Sequence, residues 1–190
     1  IDDLLRRKGI VYSDFIVLPE MFTTPYDIRS FSQYKQSEKG QVVGYLKLLS
    51  RRMRSYVIGG SIPFEENGKL YNTTFVFNRE GHLINRYDKI KLFEITYPDR
   101  THFNEGEILS AGRTLGLFDT EYGIMGQMIC FDIRYPMIAQ ELMKKGAKII
   151  FVPAAFNTYT GPLHWQTTFK ARAIDNQLFT IGVSPSSDSY

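Results

Sequence analysis

The chain has 190 residues, 43% hydrophobic and 23% charged, with 23 Lys and Arg against 20 Asp and Glu and a formal net charge of +3. This suits one ordinary globular domain able to bury a real core, and its scattered basic residues imply no nucleic-acid or polybasic membrane partner. No apolar run approaches the roughly 20 residues of a membrane span and no signal peptide is visible; three widely spaced His argue against a metal site, and the lone cysteine, Cys130, leaves no internal disulfide and fits a reducing cytosol.

Ile1–Lys8 reads as the tail of a helix capped by Gly9, and the chain stops at Asp188-Ser189-Tyr190 just beyond an apolar strand, Leu178–Val183. Both ends read as cut, as expected of a fragment or an incompletely resolved chain. Asp14–Leu18 is a short buried strand ended by Pro19-Glu20, placing an acid at the strand's tip. Taken singly, Glu20 is better explained as a solvated loop carboxylate. Thr23–Gly40 is polar and aperiodic, hence a long loop of the kind that lines sites. Val43, Leu46, Leu49 and Met53 recur at helical spacing over Val42–Arg54, and the basic end at Arg51-Arg52 complements the helix dipole. Tyr56–Ile62 is a second buried strand, broken by Gly59-Gly60.

Leu70–Phe77 and His82–Tyr87 flank the turn residues Asn78-Arg79-Glu80-Gly81 and read as a hairpin. Phe93–Arg113 shows no period and reads as another long loop, carrying Glu94, Glu105 and Glu107. Leu115–Asp119 and Gly123–Cys130 form a second hairpin around Thr120-Glu121-Tyr122. Beyond the turn at Cys130, Pro136 suits the first position of a helix with an apolar stripe at Ile138, Ala139, Leu142 and Met143, and Gly146 closes it. Ile149–Val152 is apolar throughout, as in a strand buried on both faces. A loop, Pro153–Pro162, leads to a helix over Leu163–Gln177.

Three strands thus run out at Glu20, Lys89 and Cys130, and strand ends meeting on one rim of a sheet are where α/β folds assemble sites. A single Cys is more readily a buried structural thiol than a nucleophile. Together with a Lys and an acid, however, it solves a specific problem. A thiolate attacks an amide carbon, Glu20 removes the thiol proton and then protonates the departing amine, and Lys89 with the backbone N–H after the cysteine stabilises the oxyanion. No histidine near Cys130 offers a papain-like pairing.

At these residues the sequence resembles the carbon–nitrogen hydrolase (nitrilase) superfamily. The motifs Leu18-Pro19-Glu20-Met21-Phe22, Tyr87-Asp88-Lys89-Ile90-Lys91-Leu92-Phe93 and Cys130-Phe131-Asp132-Ile133-Arg134-Tyr135-Pro136 are similar to its Glu, Lys and Cys motifs, in order, and Phe103-Asn104-Glu105 resembles the segment carrying a second glutamate. The resemblance runs from about Gly9 to Ser187. It implies an α/β fold, a four-layer α-β-β-α sandwich lacking here its first strand and C-terminal strands. It also implies a catalytic set of Glu20, Lys89, Glu105 and Cys130, a homodimer or higher homo-oligomer formed through helices, and no metal or organic cofactor. Lys91 stands where the family usually has His, and Met137 where Glu is common.

Within the superfamily, Gly59–Pro63, Leu70–Thr73, Ala154–Trp165 and Ala171–Gln177 resemble the omega-amidases and their relatives. That implies a small amide substrate, a dicarboxylic monoamide, released as diacid and ammonia in the cytoplasm. Deaminated-glutathione amidases, carbamoyl or ureido amino-acid hydrolases and nitrilases share the same set. An inactive homologue serving as a binding module is the reading from another class, and the intact set argues against it. Phe131, Arg134, Phe156 and Tyr159 are the candidate substrate-binding residues. Arg134 either holds a substrate carboxylate or pairs structurally with Asp132 or Glu141. Asp132 reads as a satisfier of turn amides, Arg172–Asp175 as an ordinary i, i+3 ion pair, and His164 and Trp165 as packing.

Overall fold

The computed structural model describes residues 1–185. Two main sheets face one another. The first holds β1 (Phe15–Val17), β2 (Tyr56–Ile58), β3 (Ile62–Glu66), β4 (Lys69–Phe77) and β5 (Leu83–Asp88). β1 is parallel to β2, whereas β2, β3 and β5 all run antiparallel to the long β4. The second sheet is ordered β11 (Phe179–Val183), β10 (Ile149–Pro153), β9 (Gly123–Gln127), β8 (Gly116–Thr120), with the β8–β9 hairpin antiparallel and the other pairs parallel.

Alternation along each strand sends successive side chains to opposite layers. Ile16, Val57, Phe75 and Phe77 pack outward against Leu46 and Leu49 of helix α3 (Gln41–Met53). Their neighbours Val17, Ile58 and Val76 turn inward and meet Phe118, Met125 and Phe151 of the second sheet. Ile150 and Val152, on that sheet's outer face, meet Ile138, Ala139 and Leu142 of α4 (Pro136–Lys144) and Phe169 of α5 (Gly161–Asn176). The order helix, sheet, sheet, helix is the four-layer α-β-β-α sandwich expected. Pro136 opens α4 at its first turn, and Gly146, at φ 93°, follows its end as the sequence suggests.

Three stretches differ from the expectation. The strand over Tyr56–Ile62 continues to Glu66, because β2 and β3 follow one another along the same edge of β4 and Gly59–Ser61 is an irregularity between them. The loop Thr23–Gly40 contains a helix, α2 (Ile28–Gln33), started by the Asp27 side chain accepting from Ser30 N at 3.0 Å. Six residues with one buried side chain, Phe31, show no readable period. The loop Phe93–Arg113 contains a ribbon, β6 (Glu94–Thr96) with β7 (His102–Asn104), whose three-residue strands are too short to display alternation.

At the end of the sandwich where β1 and β9 begin, Arg79 clamps the two sheets. Its guanidinium lies 2.7 Å from Asp14 and 2.6 Å from Glu121, and Tyr56 also hydrogen-bonds Glu121.

Candidate active site

The site forms at the other end, where β1, β5 and β9 run out. Glu20 is placed by a close backbone contact. Gly60, at φ 61°, lies so near Pro19 that a Cβ there would stand 2.2 Å from the Pro19 carbonyl oxygen, so only glycine fits. Ser61 N donates to Pro19 O at 3.2 Å, and Met21 N donates to Ser61 Oγ at 3.0 Å. Lys89 follows β5, its N–H donating to Asn72 O at 2.9 Å and its carbonyl accepting from Gly112 N at 2.8 Å. Glu105 begins a 3-10 turn after the β6–β7 ribbon and accepts from Phe93 N at 2.7 Å through Oε2. Cys130 starts a 3-10 turn over Cys130–Arg134 and has φ 44°, a left-handed conformation costly for a residue with a Cβ and common at functional sites.

Asp132 ties the Cys130 turn to the Lys89 strand. Its buried carboxylate accepts from Ile129 N at 2.9 Å, Lys91 N at 2.7 Å and Tyr87 OH at 2.7 Å. Burial pushes its carboxyl up to about 6 although all three donors pull the other way. This is the structural role expected of it.

The four candidate catalytic residues converge. Lys89 Nζ lies 2.8 Å from Glu20 Oε1 and 2.9 Å from Glu105 Oε2, and all three side chains are fully buried. Burial disfavours the Lys89 ammonium, but the charges of Glu105 and Glu20 outweigh it and raise its pKa above the ordinary value. The Cys130 thiol lies against the same group. Burial first, and then the Glu20 charge, push it well above its usual range, with Lys89 offsetting only part. Cys130 therefore rests as a thiol, which would need a base in order to react as a nucleophile. Glu20 Oε1 takes the donors of Lys89, Asn72 Nδ2 at 2.8 Å and Tyr26 OH at 3.2 Å, whereas Oε2 is buried with no partner among the described residues. These strand ends belong to both sheets, Glu20 and Lys89 to the first and Cys130 to the second, so the site spans the seam between them rather than one sheet's rim.

A small pocket over Cys130 is walled by Tyr26, Phe93, Phe131, Arg134 and Phe156 and adjoins a cavity of about 450 Å³ bounded by Pro25, Tyr97 and Phe103. Arg134 Nη1 donates to His164 Nδ1 at 3.0 Å, its guanidinium lies 5.3 Å from the Phe156 ring centre, and its Nε is buried without a partner among the described residues. Neither anticipated structural acid takes it: Asp132 is spent on its three donors, and Glu141 pairs with Lys144 at 2.8 Å. Tyr159 lines neither cavity. It is 59% exposed, with its ring against Tyr97, which occupies the wall instead. Lys91 lies over the Tyr135 ring, away from the carboxylate cluster's hydrogen bonds, and Met137 is exposed. Arg172 pairs with Asp175 at 2.8 Å as expected and also donates to Ile133 O. Sequence reasoning missed Tyr26 and Asn72. Tyr26 lay in a stretch read as a long, aperiodic site-lining loop, where nothing singled it out, and nothing in the strand pattern distinguishes Asn72.

The family model for carbon–nitrogen hydrolases matches residues 6–187. The chain belongs to the carbon–nitrogen hydrolase family. Among its relatives, this hydrolase is 41% identical over 185 residues to omega-amidase NIT2 of Xenopus tropicalis, covering 97% of the chain and 67% of that protein. It is 41% identical over 172 residues to nitrilase homolog 2 of Dictyostelium discoideum, covering 90% of the chain and 52% of that protein. Among solved structures it is similar to Saccharomyces cerevisiae Nit3, a member of branch 10 of the nitrilase superfamily, with a TM-score of 0.84, 34% identity and 97% and 66% of the two chains covered. The hydrolase thus spans about half to two thirds of the length of these relatives.

Proposed function

We propose that this carbon–nitrogen hydrolase is a thiol amidase of the omega-amidase type, hydrolysing small dicarboxylic monoamides to diacid and ammonia. The observation that carries the substrate class is Arg134, a guanidinium in the pocket wall beside Cys130 whose buried Nε–H has no partner, and which pairs with no acid, among the described residues. A distal carboxylate would meet that need. The similarity to omega-amidases supports the same reading.

In the reaction Glu20 Oε2 takes the thiol proton as sulfur attacks the amide carbon, and the oxyanion forms beside the Lys89 ammonium and the Phe131 N–H. Collapse breaks the C–N bond, Glu20 hands its proton to the leaving nitrogen, and ammonia departs from a thioester at Cys130. Water then attacks the thioester, giving a proton to Glu20, which returns it to the sulfur as the acid leaves. Glu105 fixes Lys89 from the far side. No cofactor takes part in this scheme. The reading places the enzyme in the cytoplasm and, from the resemblance, in a homodimer formed through its helices; among the described residues no helix is long and apolar enough to cross a membrane.

The test is ammonia release from a panel of charged and neutral amides, carbamoyl compounds and nitriles. Leaving Arg134 unpaired costs a few kcal/mol, so monoamides such as succinamate should exceed the matching neutral amides by roughly 10²-fold in kcat/KM. Arg134→Ala should erase most of that preference while Cys130 stays open to alkylation. Equal rates on both classes, or faster turnover of carbamoyl compounds, would remove the substrate assignment and leave the family.

A further inference from the structure

The hydroxyl of Tyr26 lies inside the catalytic cluster, 2.7 Å from Glu105 Oε1 and 3.2 Å from Glu20 Oε1, with Lys89 Nζ 3.4 Å away. Asn72 Nδ2 approaches the same two carboxylates, at 2.8 Å from Glu20 Oε1 and 3.4 Å from Glu105 Oε1. Among the described residues, the donors around Glu20 therefore all fall on one oxygen. A carboxylate oxygen has about two lone-pair sites, so Lys89 and Asn72 already fill Oε1, the Tyr26 hydroxyl bridges from it to Glu105, and Oε2 is left as the basic position. Without Tyr26 and Asn72, the carboxylate could turn and offer both oxygens to Lys89, which would quench it as a base.

We propose that Tyr26 is a positioning residue of the amidase reaction, its hydroxyl acting with the Asn72 amide to hold Glu20 so that only Oε2 faces the proton of Cys130. The proposal rests on the thiol-amidase reading given above. The phenol's single proton lies mainly toward Glu105, at 2.7 Å, and is shared with Glu20 at 3.2 Å, which links two carboxylates that also share one ammonium. Burial, followed by the charges of Glu105 and Glu20, raises the Tyr26 pKa well above its ordinary value, so the group remains a donor while the carboxylates around it change state. The ring is held independently of the hydroxyl. Its edge meets Phe31 with centroids 5.4 Å apart, Phe103 lies at 5.7 Å, and the next residue, Asp27, caps α2.

That independence makes Tyr26→Phe a clean perturbation in the full-length protein, since it removes one oxygen and keeps both ring contacts. A hydrogen bond to a charged group typically corresponds to about tenfold or more in rate. The variant should lose about that factor in kcat, with KM and the preference for charged amides within twofold of the parent and the melting temperature nearly unchanged. Alkylation of Cys130 by iodoacetamide, which reports deprotonation of the thiol without any amide substrate, should slow by a similar factor. Asn72→Val, which has no side-chain donor and suits a strand, should show the same loss in kcat alone. A Tyr26→Phe enzyme within twofold of the parent in both kcat and alkylation, or one whose loss lies in KM only, overturns the proposal. If the parent hydrolyses no monoamide, the substrate assignment fails, and the alkylation rates still decide the role of Tyr26.

Discussion

Replacing Lys89 by Met keeps the volume of the side chain and deletes the charge between two carboxylates. Lys89 Nζ lies 2.8 Å from Glu20 and 2.9 Å from Glu105, in a cluster with no exposed side-chain surface. At an effective dielectric constant of 20, each contact has a Coulomb energy of about 6 kcal/mol. Most of that is offset by desolvation, and breaking a buried pair by removing one partner costs about 3–5 kcal/mol. For a chain of this size that is a fall of roughly 10 °C in melting temperature. The deficit should shrink on acidification, because protonating either carboxylate removes an uncompensated charge. Adding Glu105→Gln to Lys89→Met should recover part of the stability and none of the turnover, since the oxyanion still lacks its cation, a loss of roughly 10²–10³ in kcat. Thermal unfolding followed by circular dichroism between pH 5 and 8, as about the working range, together with single-turnover rates, reads both quantities. A single variant that melts within about 2 °C of the parent at every pH would refute the idea that the ammonium neutralises the two acids.

Two further perturbations separate chemistry from scaffold. Cys130→Ala should abolish turnover and Glu20→Gln nearly so, and the double variant, assayed by ammonia release, should lose little more than either alone because the pair acts as one unit. Gly60→Ala would set a Cβ 2.2 Å from Pro19 O at a left-handed backbone position. It should lower both melting temperature and kcat, by more than the ~1 kcal/mol that ordinary glycine substitutions cost, and a silent substitution would mean that Gly60 does not hold the Glu20 loop.

Much of this was legible in the residues because the strands are short and strongly apolar. Ile149–Val152 announces a strand buried on both faces, and Ile150, Phe151 and Val152 are at most 1% exposed. The three motif residues sit at strand ends, where sequence marks a position well. What sequence could not carry was direction. Nothing in the motif shows that Glu20 directs its donors to one oxygen, or that Arg134 leans toward His164 rather than toward Asp132. Tyr26 shows the limit. It reaches Glu105 across 79 residues of chain, a contact set by the packing of α2 and the β6–β7 ribbon, neither of which has a period long enough to read. Tyr159 failed in the opposite sense, since it is an aromatic side chain in the right segment whose ring faces outward.

The Arg79 clamp sits at the end of the sandwich remote from the chemistry, yet it joins the same two sheets that bring Glu20 and Cys130 together. With Asp132 fastening the opposite end, the sheets are fixed like two boards pinned at both corners. Glu20 and Cys130, the proposed base and nucleophile, are on different boards, so a small slip along the seam separates them while each sheet remains intact. A displacement of about 1 Å at a reacting centre can cost 10²-fold. On the proposed mechanism turnover is a gauge of alignment between layers, and a half-buried arginine at the opposite end of the sandwich belongs to what that gauge reads.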